Sequence, residues 1–197
     1  CILATGSTPV SLPGVELSAS SRIMDSTGAL ELQEIPGRLL VIGGGYVGVE
    51  LGSVYAALGS RVTLVEKADR LMAGADRDLV GPLVERLKDL FEAIRLETSV
   101  KEIRELEGGV EVTLNGAAGS APERFDRVLL ALGRRPDSSR LGLEHTKVGL
   151  DERGFVMVNA QCRTADERIY AVGDLVGGAM LAHQAMSDAV TAHPLLQ

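Results

Sequence analysis

Apolar residues along this chain fall into short runs separated by charged or glycine-rich stretches, and their period changes from place to place. Leu39-Leu40-Val41-Ile42 is continuous and apolar, the pattern of a parallel strand covered on both faces. Arg61-Val62-Thr63-Leu64-Val65 and Val128-Leu129-Leu130-Ala131-Leu132 predict two more such strands. Val49 to Leu58 reads as a helix between the first two. Asp76 to Phe91 carries Leu79, Leu83, Leu87 and Leu90 at helical spacing with charges between them. Ile94 to Thr98 alternates as a strand does. Val100 to Leu106 and Val110 to Leu114 alternate too, and Glu107-Gly108-Gly109 between them predicts an antiparallel hairpin. Ile2 to Thr5, Phe155 to Val158 and Ile169 to Val172 are further short strand candidates, and Ser26 to Leu30 starts a short helix. Asn115-Gly116-Ala117-Ala118-Gly119-Ser120 reads as a flexible loop. Strands alternating with helices predict an α/β fold: a Rossmann-like parallel sheet with flanking helices and an antiparallel meander.

Composition narrows the function classes. The 197 residues suffice for one or two domains, and 45% of them are hydrophobic. Aromatics make up 3% with no tryptophan, leaving little for base stacking, and the net charge is -7 with a pI near 5.0. That balance argues against nucleic acid or an anionic membrane as partner. No apolar run approaches the roughly 20 residues of a membrane span. The start, Cys1-Ile2-Leu3-Ala4-Thr5-Gly6, shows no basic region or cleavage pattern, so no signal peptide is expected and the cytoplasm is the default location. The two cysteines, Cys1 and Cys162, are too few for a metal site or disulfide framework, and Cys162 reads as a packing residue. The three histidines lack metal spacing.

The candidate chemistry lies between Leu39 and Glu66. Gly43-Gly44-Gly45-Tyr46-Val47-Gly48 matches G-x-G-x-x-G directly after a strand and before a helix. Gly43 allows the tight turn, Gly45 leaves room for a pyrophosphate, and Gly48 lets helix and strand pack closely. The N–H groups at the helix start and the positive end of its dipole suit phosphates. Glu66, 21 residues after Gly45 and at the end of the next strand, can accept hydrogen bonds from a ribose diol. A carboxylate there repels a 2′-phosphate, and Lys67 and Arg70 are lone or late, so NAD is expected over NADP. The plainer alternative is that Glu66 is a solvated strand end.

With these pieces placed, the chain resembles the flavoprotein disulfide reductases, and among them the dihydrolipoamide dehydrogenase family. The resemblance is carried by Ala4-Thr5-Gly6, Gly43 to Glu50, Ala131-Leu132-Gly133-Arg134-Arg135-Pro136, Tyr170-Ala171-Val172-Gly173-Asp174 and Met180-Leu181-Ala182-His183, with Asp25-Ser26-Thr27-Gly28-Ala29-Leu30. It implies the end of an FAD domain over residues 1–20, an NAD domain over 21–147 and a return segment of the FAD domain over 148–197. Gly6 would close the flavin domain, Asp174 would accept a hydrogen bond from the FAD ribityl chain, and Ala182 and His183 would lie near the flavin ring. Tyr46 would cover the nicotinamide pocket, Val100 and Gly133 would line the adenosine and nicotinamide sides, and Glu50 would point at the flavin side. Gly44 and Val47 complete the expected cofactor contacts. Tyr46 also reads as a packing aromatic, and His183 as a structural histidine.

Asp137, Gln184 and Ser187-Asp188-Ala189 depart from the family's pattern. The family's activity is oxidation of dihydrolipoamide through a redox disulfide and FAD, with hydride passed to NAD, in a homodimer that serves 2-oxo acid dehydrogenase complexes. A mercuric or coenzyme A disulfide reductase, or a non-catalytic NAD-binding module, are the alternatives. The chain holds no C-x4-C pair and no earlier FAD fingerprint, so it is expected to be a central fragment without catalytic residues or turnover of its own. In such a fragment Ile2–Thr5 and Ile169–Val172 would pair with each other, contact a neighbouring chain or be poorly ordered.

Overall fold

The computed structural model describes residues 1–15, 17–18, 21–116, 119 and 121–192, so three residues of the expected 115–120 loop, Ala117, Ala118 and Ser120, lie outside the described residues. The fold divides into two compact units, Pro9–Gly133 and a second formed by Cys1–Thr8 with Arg134–Gln197. The chain opens with two short strands, Ile2–Leu3 (β1) and Ser7–Pro9 (β2). Ile23–Met24 (β3), the short helix Ser26–Leu30 (α1) and Arg38–Ile42 (β4) follow. Then come Tyr46–Ala57 (α2), Arg61–Val65 (β5), Arg77–Leu90 (α3) and Ala93–Arg95 (β6). Ser99–Leu106 (β7), Gly109–Asn115 (β8) and Pro122–Phe125 (β9) precede Arg127–Leu130 (β10) and Arg134–Pro136 (β11). Tyr170–Ala171 (β12) and Ala182–Ala192 (α4) complete the set, with 3-10 turns at Leu143–His145 and Gly173–Val176.

In the Pro9–Gly133 unit five parallel strands run in the order β3-β10-β4-β5-β6. The period of two along each strand sorts side chains to two faces. Leu39 and Val41, Val62 and Leu64, and Leu129 pack into one apolar cluster with Val49 and Tyr55 of α2 and Leu87 of α3. Leu40 and Ile42, Val65, and Val128 and Leu130 pack into the other, against Val110, Val112 and Leu114 of β8 and Phe125 of β9. Helices therefore cover one face, and the antiparallel sheet β7-β8-β9 covers the other. Leu39, Leu40, Val41, Val62, Leu64, Val128 and Leu129 are wholly removed from solvent. Each such side chain contributes about 1.5–3 kcal/mol relative to exposure. That double coverage explains why the strands read as unbroken apolar runs.

Local chemistry sets the element ends. Asp25 caps α1, accepting from the Thr27 and Gly28 N–H groups at 2.9 Å each. Asp78 in the first turn of α3 and Lys88 in its last complement the helix dipole. The expected strand Ile94–Thr98 is shorter, because Glu97 turns at φ 49° and the Glu97 and Thr98 N–H groups point back to the carbonyls of Ala68 and Glu66 at 2.9 Å each. β9 makes the third strand of the meander, pairing Val110 with Phe125 and Thr113 with Pro122. Among the described residues no helix is long and apolar enough to cross a membrane.

In the second unit β1 and β12 pair in parallel, Ile2 with Tyr170 and Leu3 with Ala171, the first of the three outcomes expected for these segments. Phe155–Val158 forms no strand. Val156 makes one isolated bridge to Leu150, while its N–H donates to Leu175 O at 3.0 Å, so no ladder extends from it. Cys162 is buried beside Tyr170, Val172 and Ala192, and burial raises its thiol pKa, which suits a packing role. α4 had no apolar period strong enough to anticipate, and Met186 and Val190 stand exposed on it.

Two outcomes test this packing. Tyr55, 2% exposed, donates from its hydroxyl to Ala29 O at 2.7 Å. Tyr55→Phe leaves that carbonyl unsatisfied and should lower the unfolding free energy by about 1–2 kcal/mol in denaturant titrations. Arg95 grips Glu123 through both terminal nitrogens, and this hydrogen bonding holds the Glu123 carboxyl below its ordinary value of 4.5. A depressed folded-state pKa gives stability that is present above 4.5 and lost as pH falls through the lower folded value. The stability gap between the wild-type chain and Glu123→Gln should accordingly close as the solution is acidified below that window.

Candidate functional site

β4 lies between β5 and β10, and the chain leaves it on either side, so the order of the sheet reverses at the β4/β10 boundary. In open parallel sheets the crevice beyond the C-terminal strand ends at such a boundary is where ligands bind. The turn Gly43-Gly44-Gly45 sits there. Gly43 takes φ +114° and lies directly against the Ala131 carbonyl, where any Cβ would overlap the oxygen. Gly48 lies equally close to the Gly43 carbonyl, so the first turn of α2 presses on the strand end. Gly45 is the N-cap of α2, with extended backbone and no capping side chain, and a Cβ on it would meet only open space. The first N–H groups of a 12-residue helix thus face an exposed position with no acid in the first turn. A helix start of this kind suits an anion.

Glu66 follows β5 and is tied to this turn. Its Oε2 accepts from Gly44 N–H at 2.6 Å and its Oε1 from Ala68 N–H at 2.8 Å. Its own backbone is fixed by Arg95 O and Thr98 N–H, both at 2.9 Å. The carboxylate is therefore no solvated strand end but part of the loop's scaffold. Leu71 and Met72 were not anticipated as part of it. Leu71, 2% exposed, packs over Gly44, and Met72 N–H donates to Gly44 O at 2.8 Å. The one available sign was an apolar pair just after the acid. Arg70 donates to Ala73 O at 2.5 Å.

Among the expected contact residues, Gly43, Gly44, Gly48 and Glu66 are brought together by direct contacts. Tyr46 and Val47, both half-buried, form the first turn of α2, and Glu50 is exposed on it. Gly133, with φ +104°, lies past the end of β10 and so at the same strand ends as the turn, its carbonyl accepting from Val10 N–H at 3.0 Å. Val100 stands at the start of β7, half-buried, next to a register shift.

Gly6, Asp174 and Ala182 belong to the other unit. Gly6 takes φ +71° and its carbonyl accepts from Asp137 N–H at 3.0 Å. Asp174 is the second residue of the 3-10 turn Gly173–Val176, and Ser7 Oγ donates to its Oδ2 at 2.5 Å. Asp188 accepts from Gly173 N–H at 3.0 Å, so the departure at 187–189 keeps an acid in structural use. Gln184 bridges Ala179 N–H at 2.7 Å and Gly177 O at 3.0 Å, which ties its amide to the preceding loop. Ala182 and His183 are exposed at the start of α4. Among the described residues no group of His, Cys, Asp and Glu is arranged to hold a metal ion.

A glycine turn feeding a helix at the reversal point of a parallel sheet, with an acid from the next strand, defines a Rossmann-type α/β unit. The sequence matches the pyridine nucleotide-disulphide oxidoreductase family over residues 1–189, and the chain belongs to that family. Relatives include the dihydrolipoyl dehydrogenase of Vibrio cholerae, 44% identical over 188 residues, and that of Staphylococcus aureus, 41% identical over 191 residues. These alignments cover 95% and 97% of this chain but 39% and 40% of the relatives, so the chain spans about two-fifths of their length. The HOCl-induced flavoprotein disulfide reductase of Escherichia coli superposes with a TM-score of 0.87 at 32% identity, over 99% of this chain and 44% of that one. LpdA of Mycobacterium tuberculosis gives 0.87 at 27% identity, over 100% of this chain and 42% of its own.

The tight contact in the turn predicts a contrast between two glycines. Gly48→Ala must push α2 off the Gly43 carbonyl and should cost about 1–3 kcal/mol of stability, as overpacking does. Gly45→Ala, facing open space, should cost about 1 kcal/mol or less, the scale of an N-cap change. Thermal unfolding of the two variants beside the wild-type chain checks the difference.

Proposed function

We propose that the Pro9–Gly133 unit binds NAD in preference to NADP, and that the second unit contributes part of an FAD site in a longer dihydrolipoamide dehydrogenase. The observation that supports this most is the N-terminus of α2, whose N-cap Gly45 brings no side chain, beside a carboxylate held at the same turn. The residues fit a dinucleotide: Gly45 leaves the space a pyrophosphate needs, and the Tyr46 and Val47 amides lie at the helix start. Gly44 N–H serves Glu66, so its part is to set the turn for Glu66, and the phosphate falls to the amides that follow. Glu66 accepts the ribose hydroxyls through its remaining lone pairs and repels a 2′-phosphate. Tyr46, Val100 and Gly133 line the nicotinamide and adenosine ends, and Glu50, exposed on α2, is a further cofactor contact.

FAD is fitted by Asp174 as a hydroxyl acceptor, with Gly6 and Ala182 at the neighbouring backbone. When bound, FAD carries electrons from a redox disulfide and NAD takes up the hydride. The parent enzyme then oxidises dihydrolipoamide in the cytoplasm as a homodimer within 2-oxo acid dehydrogenase complexes, and this stretch alone has no turnover. The superposition on the Escherichia coli disulfide reductase favours a second reading, a flavin reductase with another disulfide substrate. Steady-state assay of the longer protein with dihydrolipoamide against other disulfide substrates separates the two.

Calorimetry of the chain should show NADH binding more tightly than NADPH, with Glu66→Ala lowering NADH affinity at least about tenfold, the loss expected for hydrogen bonds to a charged group. Tighter binding of NADPH contradicts the cofactor assignment. Because Glu66 also fixes the turn, its removal should weaken 2′,3′-dideoxy-ADP as well as ADP. A loss confined to ADP would limit Glu66 to reading the ribose.

A further inference from the structure

The chain holds two asparagines, Asn115 and Asn159, and the fold treats them in opposite ways. Asn115 is the last residue of β8 and is followed by Gly116. Val110, Val112 and Leu114 of β8 pack into the core, so the strand's period of two turns Asn115 outward, where it is exposed. Gly116 lies past the strand end and bears no Cβ, which leaves its amide nitrogen open to the approach of the Asn115 side chain. Asn159 is exposed as well, but its Oδ1 accepts from the Gln161 and Arg163 N–H groups at 3.0 Å each, and Ala160 follows it. That Asx turn holds the Asn159 side chain in place.

Gly116 is seated on a buried residue. A Cβ added to it would lie 2.5 Å from Thr98 Oγ1. Thr98, 5% exposed, donates from Oγ1 to Leu96 O at 2.7 Å and from its N–H to Glu66 O at 2.9 Å. Ser99, the next residue, pairs with Asn115 in the β7–β8 register. The Asn115–Gly116 peptide thus backs the segment that fixes the backbone of Glu66.

We propose that Asn115–Gly116 is a site of spontaneous deamidation whose isoaspartyl product loosens the bond from Thr98 to Glu66. Hydroxide takes the proton from Gly116 N–H, and that nitrogen attacks the side-chain carbonyl carbon of Asn115. A new C–N bond forms, the bond to the side-chain nitrogen breaks, and this nitrogen takes a proton from water and leaves as ammonia. Water then opens the cyclic imide at either carbonyl. One opening gives aspartate; the other gives isoaspartate, whose main chain runs through the former side chain and is longer by a methylene. No electrons are exchanged, hydroxide is regenerated, and water is the only co-reactant consumed. The lengthened link no longer keeps both the pairing with Ser99 and the seat of Gly116 on Thr98.

The 197-residue chain is aged in warm, mildly alkaline buffer and mapped by peptide mass spectrometry, with isoaspartate counted by enzymatic carboxyl methylation. Asn115 should convert first, and faster at higher pH, while Asn159 keeps its amide. Amide hydrogen exchange reads the second step. Thr98 N–H should exchange faster in the aged chain and stay slow in aged Asn115→Gln, which closes the larger ring far more slowly. Freshly prepared Asn115→Asp gains the charge without the longer main chain and should stay slow too. An Asn115 that persists in the folded chain but converts in the urea-unfolded chain is shielded by the fold, and the proposal is overturned. Equal conversion of the two asparagines overturns it as well, since neither the glycine nor the Asx turn would then decide the site. Conversion of Asn115 with Thr98 exchange unchanged overturns the coupling to Glu66.

Discussion

The contact of Gly48 with the Gly43 carbonyl, and of Gly43 with the Ala131 carbonyl, is the constraint on which the larger unit depends. It brings the end of β4, the start of α2 and the end of β10 within van der Waals distance, with no side chain between them. Only because no Cβ intervenes can α2 begin directly at the strand end, with its first amides aimed into the crevice beyond the sheet. The apolar clusters on the two faces of the sheet then hold strand and helix in that relation. Glu66, Leu71 and Met72 close on the turn from the next connection and fix Gly44 by carboxylate, side-chain packing and backbone bond together. The start of α2 is therefore held in place by packing and by these bonds alone.

The second unit uses a different device. Its paired strands are short, and its polar chemistry is organised by side chains that reach across long sequence separations: Ser7 and Arg134 toward Asp174, and Asp188 toward Gly173. Here hydrogen bonds to charged groups do the orienting that close backbone packing does in the other unit.

Much of this was legible from the residues in order. Strands buried on both faces announce themselves as unbroken apolar runs, which is why β4, β5 and β10 were placed within a residue or two. α3 was visible from its leucine spacing, and the turn from its glycines between a strand and a helix. β3, β2 and β11 were not, because strands of two or three residues are defined by their partners' hydrogen bonds more than by their own side chains. The bond from Gly44 N–H to Glu66 was hidden for another reason: spacing shows that an acid can reach a ribose, but not that the acid also holds the turn. The Arg134–Ser7–Asp174 hydrogen-bond chain had no local signal at all, since its members are joined only by the fold.

If the turn at Gly43–Gly48 and the carboxylate of Glu66 form one nucleotide site, a single ligand touches both. Amide chemical-shift mapping of the nitrogen-15-labelled chain during an NADH titration tests it most directly. The largest shifts should fall on Gly44 to Val49 and on Glu66 to Ala68 and saturate together with one affinity. Shifts centred elsewhere in the Pro9–Gly133 unit, or two sets that saturate at different concentrations, would contradict it.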